Sequence, residues 1–159
     1  MSATRIASVI GRRVWDSRGR PTVEAEVRLE GGATGCAIAP AGASRGSGEA
    51  LDRRDGGEAF GGLDVGGAVN AVGGEIATAL ESLDAADQAS VDAALIALDG
   101  TSAKARLGGN ATIAVSMAVA HAAAAAAGEP LWRWLRGSRP DLPPALLPLP
   151  EIQIFGGGA

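Results

Sequence analysis

The sequence is poor in the residues from which most reactive sites are built. Among its 159 residues it has one cysteine, Cys36, one histidine, His121, no tyrosine, and an aromatic content of 3%. A lone cysteine excludes an internal disulfide and a cysteine-built zinc site. A lone histidine excludes a paired-imidazole metal site and leaves little choice for a histidine-based triad. Lys104 is the single lysine among 14 basic residues, which are set against 18 acids for a net charge of −4. Interspersed charge of that sign argues against a nucleic-acid or polybasic membrane binder. The first thirteen residues hold no apolar core of a secretory signal. The longest apolar stretch, 111–127, is mostly alanine and is interrupted by Ser116 and His121. It falls short of the roughly 20 strongly apolar residues of a spanning helix, so a packed interior helix is expected. The chain reads as soluble and cytoplasmic, without nucleic-acid or membrane partners. It has no GxxxxGK[ST] phosphate loop, and Gly46-Ser47-Gly48 lacks the third glycine of a dinucleotide motif.

What the sequence does have is small. Apolar residues make up 47% and there are 24 glycines, so the core must come from closely packed small side chains. Val23, Ala25, Val27 and Leu29 alternate with Glu24, Glu26, Arg28 and Glu30, the period of a strand with one buried face. Arg5 to Trp15 predicts a strand before it, and Gly31-Gly32 a turn into a third, Ala33 to Ala39. A glycine- and serine-rich loop, Ala41 to Gly48, follows. From Glu49 to Leu135 the pattern prefers helix. Asp64 is expected to cap a helix running to Ser82, and Asp84 one from Ala85 to Leu98 with Ala89, Ala93, Leu95 and Ile96 inward. Gly100 should stop that helix, and Asn110 should cap the alanine-rich one. Leu131 to Arg136 reads as a last short helix. Gly66-Gly67 and Gly73-Gly74, costly in helices, predict close helix packing. Cys36 is expected to be buried, His121 to lie on a helix surface, and Trp15, Trp132 and Trp134 to serve packing. Strands followed by helices make an α+β domain, a three-stranded antiparallel meander and then a helical bundle. Five prolines between Pro140 and Pro150 suggest a linker, and Glu151 to Phe155 the start of a further strand. The expected division is 1–139, a capping domain; 140–150, a linker; and 151–159, the first strand of a second domain.

Several stretches, in order, resemble the enolase family. Asp16-Ser17-Arg18-Gly19-Arg20-Pro21-Thr22-Val23-Glu24 is similar to its DSRGNPTVE, and Ala39 to Gly46 to its APSGASTG loop. Leu98-Asp99-Gly100-Thr101 and Gly108-Gly109-Asn110-Ala111 resemble LDGT and GANA at the family's separation. Ala114 to Ala118 continues the match, and Ile154 to Gly158 resembles INGG.

The resemblance implies an N-terminal capping domain, with the family's β/α barrel expected beyond residue 159. It implies a lyase that reversibly dehydrates 2-phosphoglycerate to phosphoenolpyruvate in glycolysis, with Mg²⁺ stabilising an enediolate-like intermediate. The catalytic base, acid and principal metal carboxylates are then expected in the barrel, and the 159-residue chain alone is expected to be inactive. By the same resemblance Gly42, Ala43, Ser44 and Arg45 form an active-site lid, with Ser44 ligating a second magnesium. Gly156, Gly157 and Gly158 form part of the site floor, and Arg12 and Glu24 a homodimer interface. Residue types alone favour an exposed turn for the loop and a strand-surface acid for Glu24; the resemblance shifts both toward the functional roles. Two positions depart from the family's loop, Ala41 for Ser and Arg45 for Thr. Those departures leave open a paralog acting on a related phosphorylated or phosphonylated acid. A non-catalytic α+β interaction module is a third reading.

Overall fold

In the computed structural model, residues 3–42, 46–137 and 145–152 are described. Strand β2 (Pro21–Leu29) has the strictest apolar alternation and lies at the centre of a sheet ordered β1-β2-β3, with β1 (Ile6–Trp15) and β3 (Thr34–Ala39) antiparallel on either side. The pairing sets Val9 opposite Val27, Arg12 opposite Glu24, and Val27 opposite Gly35. Val9, Val23, Ala25, Val27, Leu29, Ala37 and Ala39 therefore share one buried face. Gly32, at φ 88°, makes the expected turn between β2 and β3. Cys36 is exposed rather than buried. Its neighbours Gly35 and Ala37 take the inward positions, which leaves Cys36 and Ile38 on the outer face.

The buried face is covered by α4 (Gly109–Ala126), whose inward side is almost all alanine and valine. Small residues matter here because backbone meets backbone. A Cβ placed on Gly35 would lie 2.2 Å from both the Ala118 carbonyl oxygen and the Ala122 nitrogen. Among the described helices α4 alone is long and apolar enough to cross a membrane, but 67% of it is buried inside the domain, as befits a core helix. His121 lies on its exposed side.

A second helical run packs against β1. It comprises α1 (Gly66–Ala71), one wider π-helical turn (Val72–Ile76) and α2 (Ala77–Leu80). Ala68, Ala71, Val72, Ile76 and Leu80 face inward. Its first turn is capped by Asp55, whose carboxylate accepts from the N–H groups of Gly66 and Gly67 at 2.7 and 2.9 Å. Asp64 instead accepts from Val65 and from Arg13. The cap comes from a residue eleven positions upstream, beyond the reach of a local capping pattern. Gly66 and Gly67 are thus explained by the approach of Asp55, whereas added methyls on Gly73 and Gly74 meet nothing within 4 Å, against the expectation of close packing.

Helix α3 (Gln88–Asp99) is capped by Asp87, which accepts from Ser90 N–H at 3.1 Å, and not by Asp84. Asp84 accepts from Ala86 N–H and shapes the preceding turn. Val91 and Leu95 are its buried apolar residues, with Ala94 and Leu98 partly buried, while Ala89, Ala93 and Ile96 are exposed. This helix is apolar nearly all round, so its period leaves the buried side undetermined. Gly100, at φ 71°, ends it as expected. Gly108, not Asn110, occupies the cap of α4. Residues 49–58 are not helical; the N–H groups of Leu51 and Asp55 instead donate to the carbonyls of Ala103 and Asp64. The last helix, α5 (Leu131–Gly137), sets Trp134 partly buried against the core. Trp15 meets the Phe60 ring edge-on at 5.0 Å. The expected linker is described only over 145–150 and the expected strand only over 151–152, neither with regular structure; the expected boundary near 140 and residues 153–155 lie outside the described residues.

Candidate active-site loop and its supports

The segment leaving β3 is held by the turn between β1 and β2. In that turn the Asp16 carboxylate accepts from the N–H groups of Arg18 and Arg20 at 2.8 and 2.9 Å, and Gly19 takes φ 69°. These bonds, the one from Arg20 foremost, and the Arg18 charge hold the Asp16 carboxyl below its ordinary range against the opposing effect of burial. The turn aims the Arg18 guanidinium across the sheet end. There it donates to the carbonyl oxygens of Ala41 and Gly42 and to Asp16. Thr22 adds a buried bond from its hydroxyl to the Ala39 carbonyl at 2.6 Å. On the far side, Gly46 N–H donates to Glu49 at 3.0 Å.

Residues 50–55 lie beneath. Arg54 donates to the carbonyls of Pro21 and Leu63 at 2.6 and 2.9 Å and pairs with Asp52 at 2.9 Å. The Asn110 amide clips the Arg53 backbone on both sides, accepting from its N–H at 3.1 Å and donating to its carbonyl at 3.2 Å. Gly108 must be glycine for this contact: φ is 102°, and a Cβ would lie 2.4 Å from Asn110 Oδ1. Between these supports and Gly42 is a cleft of about 250 Å³, lined by Arg20, Glu49, Asp52, Arg54 and Leu63. The Leu98-Asp99-Gly100-Thr101 stretch is a further brace. Asp99, nearly fully buried, accepts from Thr101 N–H and hydroxyl and from Leu107 N–H at 2.8 Å. Burial pushes its carboxyl upward, but these bonds prevail and hold it below the ordinary value.

Of the residues expected from sequence, Gly42 is at the mouth of this arrangement. Ala43, Ser44, Arg45, Gly156, Gly157 and Gly158 lie outside the described residues. Arg12 and Glu24 are brought together on the outer sheet face at 3.2 Å, with Glu26 closer still to Arg12 at 2.7 Å. Hydrogen bonds to Glu26 and Glu24 raise the Arg12 pKa. The sequence alone does not identify Arg18, Arg54 and Asn110 as supports. Their residue types signal long reach and paired bonding, but their carbonyl and backbone partners are 23, 33 and 57 positions away. Among the described residues no group of three or more His, Cys, Asp or Glu is placed to hold a metal ion. In comparison with known protein families, residues 6–135 match the one described as Enolase, N-terminal domain.

Proposed function

We propose a function from one premise: the chain belongs to the enolase family, its residues 6–135 being that family's N-terminal domain. At the coarse level this makes it part of an enolase-family lyase. The finer reading is that the full-length protein reversibly dehydrates 2-phosphoglycerate to phosphoenolpyruvate, in the cytoplasm and as a homodimer. The match over most of the chain carries this reading.

In it, Gly42 to Arg45 form the lid over a small anionic phosphorylated substrate, Gly156 to Gly158 form floor, and Arg12 and Glu24 meet the partner subunit. Of the described acids near the loop, Asp52 pairs with Arg54, Asp55 accepts from Gly66 N–H, and Glu49 accepts from the loop's own Gly46 N–H. The carbonyls of Ala41 and Gly42 already accept from Arg18. By resemblance to the family's loop, the oxygen offered to a second Mg²⁺ is the Ser44 hydroxyl, a hard donor of the kind this ion takes. When bound, Mg²⁺ supplies charge stabilisation to the substrate's carboxylate. This domain's own residues place the loop, and the proton-transferring groups belong to the barrel expected beyond residue 159.

The test is a coupled assay of the full-length protein on 2-phosphoglycerate with Mg²⁺ varied. Metal-dependent turnover is expected, and Ser44→Ala should lower it about 10- to 100-fold. Absence of turnover in the wild-type protein overturns the reading. The departures at Ala41 and Arg45 favour a second reading, another phosphorylated or phosphonylated acid as substrate, since a guanidinium pairs bidentately with such anions. A preference for such an acid that Arg45→Thr abolishes would select it.

A further inference from the structure

We infer that Arg18 is a positioning residue that sets the course of the chain where it leaves β3, substituting for the sheet ladder that ends there. The last β2–β3 pairing is Val23 with Ala39. Beyond it Pro40 has no N–H to donate, and the Ala41 and Gly42 carbonyls have no strand opposite. Both find their donor in one guanidinium.

The guanidinium is itself pre-aimed. Asp16, its side chain only 2% exposed, spends Oδ1 on the N–H groups of Arg18 and Arg20 and turns Oδ2 to Arg18 at 3.3 Å. The fork of an arginine suits this task because several coplanar N–H groups can meet several acceptors at once. Arg18 acts through the backbone of Ala41 and Gly42. The inference rests on the functional reading above only in what it adds for catalysis: Gly42 is then the fixed point from which the proposed lid departs.

The first experiment is amide hydrogen exchange on the full-length protein without metal or substrate, comparing wild type, Arg18→Met and Arg18→Lys. Arg18→Met should speed exchange over 41–50 about tenfold, the order set by a lost charge-assisted bond, and leave α4 unchanged. Arg18→Lys, which keeps one charged donor, should show a smaller rise in the same segment. Unchanged exchange over 41–50 in Arg18→Met overturns the inference. If Arg18→Met exchanges faster throughout, Arg18→Lys decides: a rise confined to 41–50 supports the inference, and an unchanged or general pattern overturns it. The second experiment is kinetic. The half-saturating Mg²⁺ concentration should rise about tenfold in Arg18→Met while kcat at saturating metal stays near wild type, with Arg18→Lys intermediate. Exchange requires no turnover. A protein inert towards 2-phosphoglycerate therefore refutes the proposed function and leaves the positioning role measurable.

Discussion

At Gly35 the chain has no room for a methyl group. The nearest atoms to a built Cβ are backbone atoms of α4 at 2.2 Å, and backbone cannot rotate aside as a flexible side chain can. Gly35→Ala must push the sheet and α4 apart, and a loss of about 3 kcal/mol is expected from a denaturation midpoint. Gly19 supplies the contrast: nothing lies within 4 Å, but φ is 69°. Gly19→Ala should cost only about 1–2 kcal/mol, the strain of a left-handed residue. A Gly35→Ala loss no larger than the Gly19→Ala loss would show that α4 yields. Asp99 is a different kind of constraint. Removing its carboxylate strands the Leu107 N–H in the interior, so Asp99→Ala should cost about 3 kcal/mol or more. Intact stability in that variant would place the brace elsewhere.

Among the elements, the π-helical turn between α1 and α2 carries two glycines that no contact requires. Added methyls at Gly73 and Gly74 reach open space, and neither residue has a positive φ. Replacing either with alanine should therefore stabilise the protein by about 0.4–1 kcal/mol, read as a higher melting temperature. A lower melting temperature would mean that the wider turn itself needs glycine. How far such elements were legible in the sequence depended on locality. The meander was legible because the alternation in β2 and the Gly31-Gly32 turn are short-range signals. The local pattern points to Asp64 and Asp84 rather than to the observed caps of α1 and α3, because Asp55 reaches its helix from a distant loop and because Asp84 and Asp87 both suit a cap three residues apart. The inner side of α3 was illegible because Ala89, Ala93 and Ile96 are as apolar as the stripe that is buried. In the loop region the motif residues were recognised, yet the partners of Arg18, Arg54 and Asn110 depend on tertiary approach, which spacing does not encode.

Over the whole molecule, small-residue packing leaves the larger apolar side chains unevenly covered. Ile96, Ile113 and Met117 remain exposed around a cleft of about 270 Å³ between α3 and α4. A contiguous apolar surface of that kind favours association, so the 159-residue chain should show concentration-dependent sedimentation. A clean monomer at high concentration would argue against it. Acid should act on the molecule as a whole. The carboxyls of Asp16, Asp64, Asp84, Asp87 and Asp99 are all held below 3.8, and they are spread from the β1–β2 turn to the start of α1 and the two ends of α3. Their partners differ, but the sign is shared. Above 3.8 these groups are ionised in both folded and unfolded chains, and their stabilising bonds are fully present. As pH falls below 3.8 the unfolded chain takes up protons first, and the contribution is lost as pH passes through the depressed folded values. The melting temperature should therefore be nearly level from about pH 7 to 5 and fall below about pH 4. Asp16→Asn combined with Asp87→Asn should lower stability at neutral pH and make the acid fall shallower. A decline that begins well above pH 5, or an acid fall unchanged in the double variant, would assign the pH dependence to other groups.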